Sequence, residues 1–246
     1  MGGRVNGSIQ SRSGRSGGTA GRSSRSGRKT KNSKQGKLSR FGLSKFEMYF
    51  MLAFLMFIVI GVTTRFGIGG DGLIVLDPGH GGSDPGAIYA EVNEKDVNLE
   101  VALKTAQFLK NEGYEVVMTR DSDEFIELSD RAAAANRYSS PVFVSIHCNA
   151  SDNPESFGVE TYNARDSKKG KAFGETIHKA VLKSAGADDR GTHERNFVVL
   201  RETACPAVLV EIGFLSNEEE RNRLTDPAYQ NKIAVGIAEG IINYMK

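Results

Sequence analysis

From Gly72 onward the sequence predicts an α/β fold, a sheet with helices on both faces. Two observations carry this. Short apolar runs rich in β-branched and aromatic residues recur between Gly, Asp, Asn or Pro, and the stretches between them repeat apolar residues at the helical period. About 175 residues is an ordinary size for one domain. In chain order, Leu73–Asp77 reads as a strand. Lys95–Asn111 reads as a helix with Val97, Val101, Leu103, Phe108 and Leu109 near one face. Glu115–Arg120 is the next strand, and Ser129–Tyr138 a helix opened by a Ser cap. Val142–Asn149 and Gly158–Asn163 are strands, Lys168–Ser184 a helix, Asn196–Leu200 and Ala207–Gly213 strands, and Pro227–Tyr244 the closing helix.

The 246 residues carry 32 basic and 30 acidic side chains, a balance that hides a strong asymmetry. Residues 1–47 hold 12 Lys and Arg against the single acid Glu47, with ten Gly and ten Ser among the rest. So little apolar surface cannot build a core, and the stretch is expected to be a disordered basic tail. The 17 uncharged residues Met48–Thr64 follow, apolar all round, and as a helix they extend about 25 Å, just enough to cross a bilayer. A buried core helix would show a polar face, and a cleaved signal peptide a shorter basic region and a small-residue cleavage site. An uncleaved signal anchor fits better. The positive-inside rule then leaves the tail in the cytoplasm and places the domain, residues 72–246 after a linker at 65–71, outside the membrane. The Arg/Ser/Gly-rich run from Arg22 to Lys29 has the charge to meet nucleic acid. It lacks interleaved aromatic residues, so attraction to the anionic inner leaflet is the simpler reading.

Two cysteines exclude a disulfide scaffold and a four-thiolate zinc site, so any metal must use His and carboxylates. Three apolar runs end in a polar residue foreign to them: His80 after LIVLD, His147 at the end of VFVSIH, and Glu211 at the end of AVLVE. In open α/β sheets the functional crevice lies beyond the carboxyl ends of the strands, where such residues converge. The loop Asp77–Gly86 fails the dinucleotide fingerprint because its last required glycine is Asp84; its four glycines instead turn the backbone tightly around His80. Alone, His80 reads equally as a hydrogen-bonded loop residue, and Glu94 as a first-turn acid favoured by the helix dipole. Together with His147 they complete the His/His/carboxylate set of a catalytic zinc site, leaving Glu211 for proton transfer.

His178, mid-helix among Lys171, Glu175 and Lys179, reads as a surface residue, and His193 as part of a polar loop, Asp188–Asn196. Cys148 invites a thiol-nucleophile reading, but its neighbour His147 turns it to the opposite side of the strand and no cation stands nearby. Cys205 reads as a small buried residue, and a disulfide between the two is left open.

Four ordered motifs, Asp77-Pro78-Gly79-His80-Gly81-Gly82, Glu94-Lys95-Asp96-Val97-Asn98-Leu99, Ser145-Ile146-His147-Cys148-Asn149-Ala150 and Val210-Glu211-Ile212-Gly213-Phe214-Leu215-Ser216-Asn217, resemble the zinc-dependent N-acetylmuramoyl-L-alanine amidases of the bacterial cell wall. The resemblance runs from about Gly72 to Lys246. It implies a mixed, mostly parallel six-stranded sheet, one Zn²⁺ held by His80, Glu94 and His147, and Glu211 as catalytic acid/base. The implied reaction is hydrolysis of the amide joining the lactyl group of muramic acid to L-alanine of the stem peptide. Asn196 and the segment to Leu200 resemble a stretch lining the family's substrate groove, and Glu160 is expected to face it. The expected partners are peptidoglycan, which the resemblance implies, the membrane through the apolar run 48–64, and a protein activator, with nucleic acid set aside. A bare catalytic domain on one anchor resembles members used in spore cortex modification. Two other classes remain: a zinc peptidase trimming stem peptides with the same four residues, told apart by its products, and a non-catalytic wall-binding protein, which would be expected to have lost a ligand or the base.

Overall fold

A computed structural model of the chain describes residues 72–139 and 141–246, all within the unit Leu52–Lys246. The strands are β1 (Ile74–Pro78), β2 (Ile88–Tyr89), β3 (Val92–Asn93), β4 (Val116–Met118), β5 (Val142–Asn149), β6 (Val159–Asn163), β7 (Asp189–Glu194) and β8 (Ala207–Phe214). The helices are α1 (Glu94–Asn111), α2 (Leu128–Asn136), α3 (Lys168–Ala185), α4 (Val198–Arg201), α5 (Glu218–Leu224) and α6 (Pro227–Met245). The tail 1–47, the apolar run 48–64 and the linker 65–71 lie outside the described residues. Among the described residues no helix is long and apolar enough to cross a membrane.

Six strands form one sheet in the order β4-β1-β5-β8-β6-β7. The first four are parallel, β6 runs antiparallel to β8, and β7 is parallel to β6. Strand residues alternate between two cores. Ile74, Leu76, Val144, Ile146, Val208 and Val210 face the larger one, built with Val101 of α1, Phe173 and Ile177 of α3, and Ile233 and Ile237 of α6. Val75, Phe143 and Leu209 face a smaller one with Ala135 of α2 and Val199 and Leu200 of α4. Both faces of β1, β5 and β8 are therefore covered, which is why their sequences are apolar throughout.

Helix α3 packs against α6. The contact is close because glycines face the partner: a Cβ on Gly240 would stand 2.6 Å from Ile177 Cα, and one on Gly236 2.7 Å from Val181 Cα. Helix α3 begins where Ser167 accepts from the Gly170 N–H and ends at left-handed Gly186; α6 begins at the Asp226 cap with Pro227 in its first turn.

Three sequence expectations are corrected. Asn196–Leu200 is not a strand: Val198–Arg201 forms the short helix α4, whose Val199 and Leu200 bury themselves in the smaller core. Asp189–Glu194, which reads as part of a polar loop, forms the edge strand β7 paired with β6. Ser129 caps nothing, because α2 starts one residue earlier, after Glu127 in extended conformation, without a side-chain cap.

Candidate metal centre

The site follows from alternation along the strands. Asp77, Ser145, His147 and Glu211 share the parity of Val75, Phe143 and Leu209, so they emerge at the carboxyl ends of β1, β5 and β8 on the side of the smaller core. His147 and Glu211 are register partners on adjacent strands. Cys148 points the other way, into the larger core. A cavity of about 560 Å³ opens here, lined by His80, Asp84, His147, Asn196 and Glu211 and by the apolar side chains of Phe125, Ile126, Leu128, Phe197 and Val198. Another cavity, of about 450 Å³, lies at the opposite end of the strands beside Tyr138, Cys205 and Tyr244, with no convergent acid and base groups.

His80, Glu94 and His147 each offer a ligand atom, and these atoms lie within 4.8 Å of one another. Glu94, at the first position of α1, is buried. One of its oxygens stands 2.9 Å from His147 Nδ1 and accepts from the Cys148 N–H at 3.1 Å; the other stands 3.2 Å from His80 Nε2 and accepts from the Ala87 N–H at 3.0 Å. Burial alone would raise the Glu94 carboxyl, but hydrogen bonds and charge from His147 and His80 outweigh it and hold the group well below the usual carboxylate range. Burial likewise works against a charged His80, yet Glu94 and Asp84 carry its imidazole up to about 9. His80 Nδ1 donates to Asp84 Oδ2 at 2.7 Å, which fixes the ring and leaves Nε2 aimed at Glu94.

This donor set fits a zinc ion. Two imidazoles and a carboxylate converge, one imidazole is backed by an outer carboxylate, and the cavity leaves room for water and substrate beside them. The backbone is shaped to the same end. A Cβ on Gly79 would fall 2.2 Å from His147 Cε1, so only glycine lets the loop cross the ring. His80 itself has φ 60°, a left-handed conformation costing about 1 kcal/mol or more in a non-glycine residue.

Glu211 is only partly exposed, and its Oε2 is shut from solvent without a hydrogen-bond partner. Burial, and then the nearby Glu94 and Glu160 carboxylates, raise its pKa to about 7 against the pull of His147 and His80. A carboxyl poised near neutrality beside a metal site is suited to taking and returning a proton.

Asn196 lines the cavity with Phe197, although the backbone there is not a strand. Glu160 does not line it: level with Glu211 on the neighbouring strand, its carboxylate is engaged by Asn149, Tyr162 and Arg190. His178 is not a surface residue. It is 6% exposed, with Nδ1 at 3.0 Å from Thr161 Oγ1 and Nε2 at 2.9 Å from Asp189 Oδ1, joining α3 to β6 and β7. His193 lies on β7, away from the ligand cluster, with its ring near Tyr162. Both cysteines are free, Cys148 near the end of β5 and Cys205 two residues before β8 begins, where Ala207 stands level with Phe143. They therefore sit at opposite ends of the sheet, too far apart for a disulfide. Burial raises the Cys148 thiol well above its ordinary value, against a nucleophilic role. Asp84 escaped the sequence reading, although its place four residues after His80 was a signal.

A family model described as N-acetylmuramoyl-L-alanine amidase matches residues 74–243. The sporulation-specific N-acetylmuramoyl-L-alanine amidase of Bacillus subtilis is 38% identical over 171 residues, 68% of this chain and 66% of that protein. The probable cell wall amidase LytH of Staphylococcus epidermidis is 36% identical over 174 residues, 70% of this chain and 57% of that protein. The chain thus spans about two thirds or less of the length of these curated relatives. Among solved structures, the catalytic domain of the amidase CwlV from Bacillus (Paenibacillus) polymyxa var. colistinus aligns with TM-score 0.68 and 44% identity, covering 70% of this chain and 97% of that one. The CwlD amidase of Clostridioides difficile, solved in complex with the GerS lipoprotein, aligns with TM-score 0.68 and 33% identity, covering 71% of this chain and 98% of that one.

Proposed function

Because this chain belongs to the N-acetylmuramoyl-L-alanine amidase family, we propose that it hydrolyses the amide between the lactyl group of N-acetylmuramic acid and L-alanine of the peptidoglycan stem. The observation that carries this is the convergence of His80, Glu94 and His147 beside the orphaned Glu211 oxygen in one cavity. His80, Glu94 and His147 would hold a Zn²⁺ ion, which in such a donor set would supply an acidified water and a polarised carbonyl.

The chain's own residues do the rest. Glu211 takes the water proton and returns it to the leaving alanine nitrogen, a role suited to a carboxyl that lines the cavity with one oxygen buried and unpartnered. Asp84 orients His80 by accepting from its Nδ1. Phe125, Leu128 and Phe197 give the substrate apolar surface beside the polar groups of the cleft, Asn196 among them.

The domain works on the outer side of the cell membrane, held by the apolar run 48–64 with the basic tail in the cytoplasm; the charge asymmetry of the sequence supports this placement. The sporulation-specific relative supports a role in spore formation, and the CwlD complex with a lipoprotein supports a protein activator.

The test is digestion of insoluble peptidoglycan by the purified chain, with chelator and with zinc restored, the released fragments being identified by mass. Intact stem peptides bearing a new L-alanine amino terminus, only when zinc is present, are expected. Shorter peptides or free amino acids would identify a stem peptidase, and release insensitive to chelator would refute the metal reading.

A further inference from the structure

Two arginines that the proposed reaction does not use stand almost wholly buried beneath the metal loop. Arg120 follows β4, Arg131 lies in α2, and each is 2% exposed. Arg120 Nε donates to the Pro78 carbonyl at 3.0 Å, Nη2 to those of Gly79 and Lys95 at 2.9 Å each, and Nη1 to that of Ser122 at 3.1 Å. Arg131 Nη1 donates to the Pro78 carbonyl at 2.7 Å and to Asp77 Oδ1 at 2.9 Å, Nη2 to the His80 carbonyl at 2.7 Å, and Nε to that of Ile126 at 2.9 Å. The two guanidinium groups thus grip the carbonyls of three successive residues ending in His80. Arg120 adds the carbonyl of Lys95, the residue after Glu94.

Burying a guanidinium is costly, and Arg120 spends all four of its hydrogen bonds on backbone carbonyls and none on a carboxylate. The task needs a fork. β1 leaves the sheet at Pro78, and the carbonyls that turn inward there need donors from several directions at once, which one planar five-donor group supplies and an ammonium does not. The grip also accounts for His80 keeping a left-handed φ of 60°, since such a backbone persists only where its surroundings over-determine it. Asn98 joins the brace, its Nδ2 reaching the Gly79 carbonyl at 3.3 Å and Glu94 Oε1 at 3.2 Å.

We propose that Arg120 and Arg131 are positioning residues for the metal centre, holding the His80 loop and the start of α1 in ligand geometry before an ion arrives. This rests on the zinc reading above. The test is the affinity of the metal-free, full-length chain for Zn²⁺, measured by competition with a chromophoric chelator. Arg120→Lys and Arg131→Lys are expected to weaken zinc binding roughly 10–100-fold, as outer-shell changes do. Phe173→Leu, in the larger core on the other face of the sheet, is expected to lower the melting temperature and leave zinc affinity unchanged. Lysine variants that bind zinc like the wild type, or a Phe173→Leu chain that loses affinity in step with them, would overturn the proposal.

A measurement on the unmutated chain decides the matter should the variants not fold. Amide exchange at Gly79 and Gly81, whose N–H groups donate to Ile146 and Asp84, is expected to be as slow without zinc as with it. Fast exchange that slows only on adding zinc would refute preorganisation. A wild-type chain that binds no zinc would instead overturn the reading of the site itself.

Discussion

In the proposed reaction Glu211 carries the proton transfer alone, and its isolation makes two predictions. Glu211→Gln keeps size and polarity but cannot shuttle a proton, so turnover of peptidoglycan should fall at least about 100-fold while zinc content, measured by metal analysis, stays at the wild-type level. The second concerns pH. In the metal-free protein Glu211 titrates near 7, against an ordinary value of 4.5, because burial disfavours its charge. Between those values the folded chain holds a proton the unfolded chain has released, so the contribution to stability declines as pH rises from about 4.5 to 7 and stays lost above it. Glu211→Gln removes that loss. In chelator, its unfolding free energy should match or trail the wild type at pH 4.5 and gain on it by up to roughly 3 kcal/mol by pH 8, as measured by denaturant titration. A constant difference across that range would refute the shift. At this scale the sequence was legible where a polar residue interrupted an apolar run, as His80, His147 and Glu211 do. It was misleading at His178, whose sequence neighbours are charged but whose partners Thr161 and Asp189 come from two strands. Arg131 gave little sign, as one arginine in an alanine-rich helix, and Arg120 none, because carbonyl acceptors leave no trace in a sequence.

Among the elements, strands and helices with strong apolar patterns were read correctly to within a residue or two, and the failures share a cause. β7 is an edge strand with one neighbour, so its residues Asp189–Glu194 need no apolar alternation and look like a loop. Val198–Leu200 looks like a strand because three β-branched or apolar residues in a row fit either state; what decides is the smaller core, which has room for a helical turn. The packing of α3 on α6 makes the prediction proper to this scale. Gly240→Ala improves intrinsic helix propensity by nearly 1 kcal/mol, yet the added methyl would meet the Ile177 backbone at 2.6 Å, and backbone cannot swing aside. The clash should win, destabilising the fold by about 1–3 kcal/mol, seen as a drop in melting temperature of several degrees. A rise in melting temperature would show that the helices separate freely.

For the molecule as a whole, fold class follows from local alternation, but strand order does not. That β6 turns antiparallel beside β8 while β1, β5 and β8 run parallel is settled by the connections and by which faces need covering. A bound metal would couple the parts. The candidate ligands come from the loop after β1, the start of α1 and the end of β5, so an ion bound there would tie three segments that are far apart in sequence. Zinc at 100 times its dissociation constant should add about 2.7 kcal/mol and raise the melting temperature by roughly 5–10 °C; differential scanning calorimetry with and without chelator tests this, and an unmoved transition would count against a folded-state site.

The direction of β1 carries a further consequence. The chain comes into the sheet at Leu73 and Ile74, at the floor from which the parallel strands rise, while the catalytic cleft opens where those strands end. Were the domain tethered through its N-terminal residues, as proposed above, the tether would join it at the end of the sheet opposite the cleft. On that proposal, lengthening or shortening the residues before Gly72 should change the distance from the membrane at which peptidoglycan is reached, without altering the chemistry of the cleft.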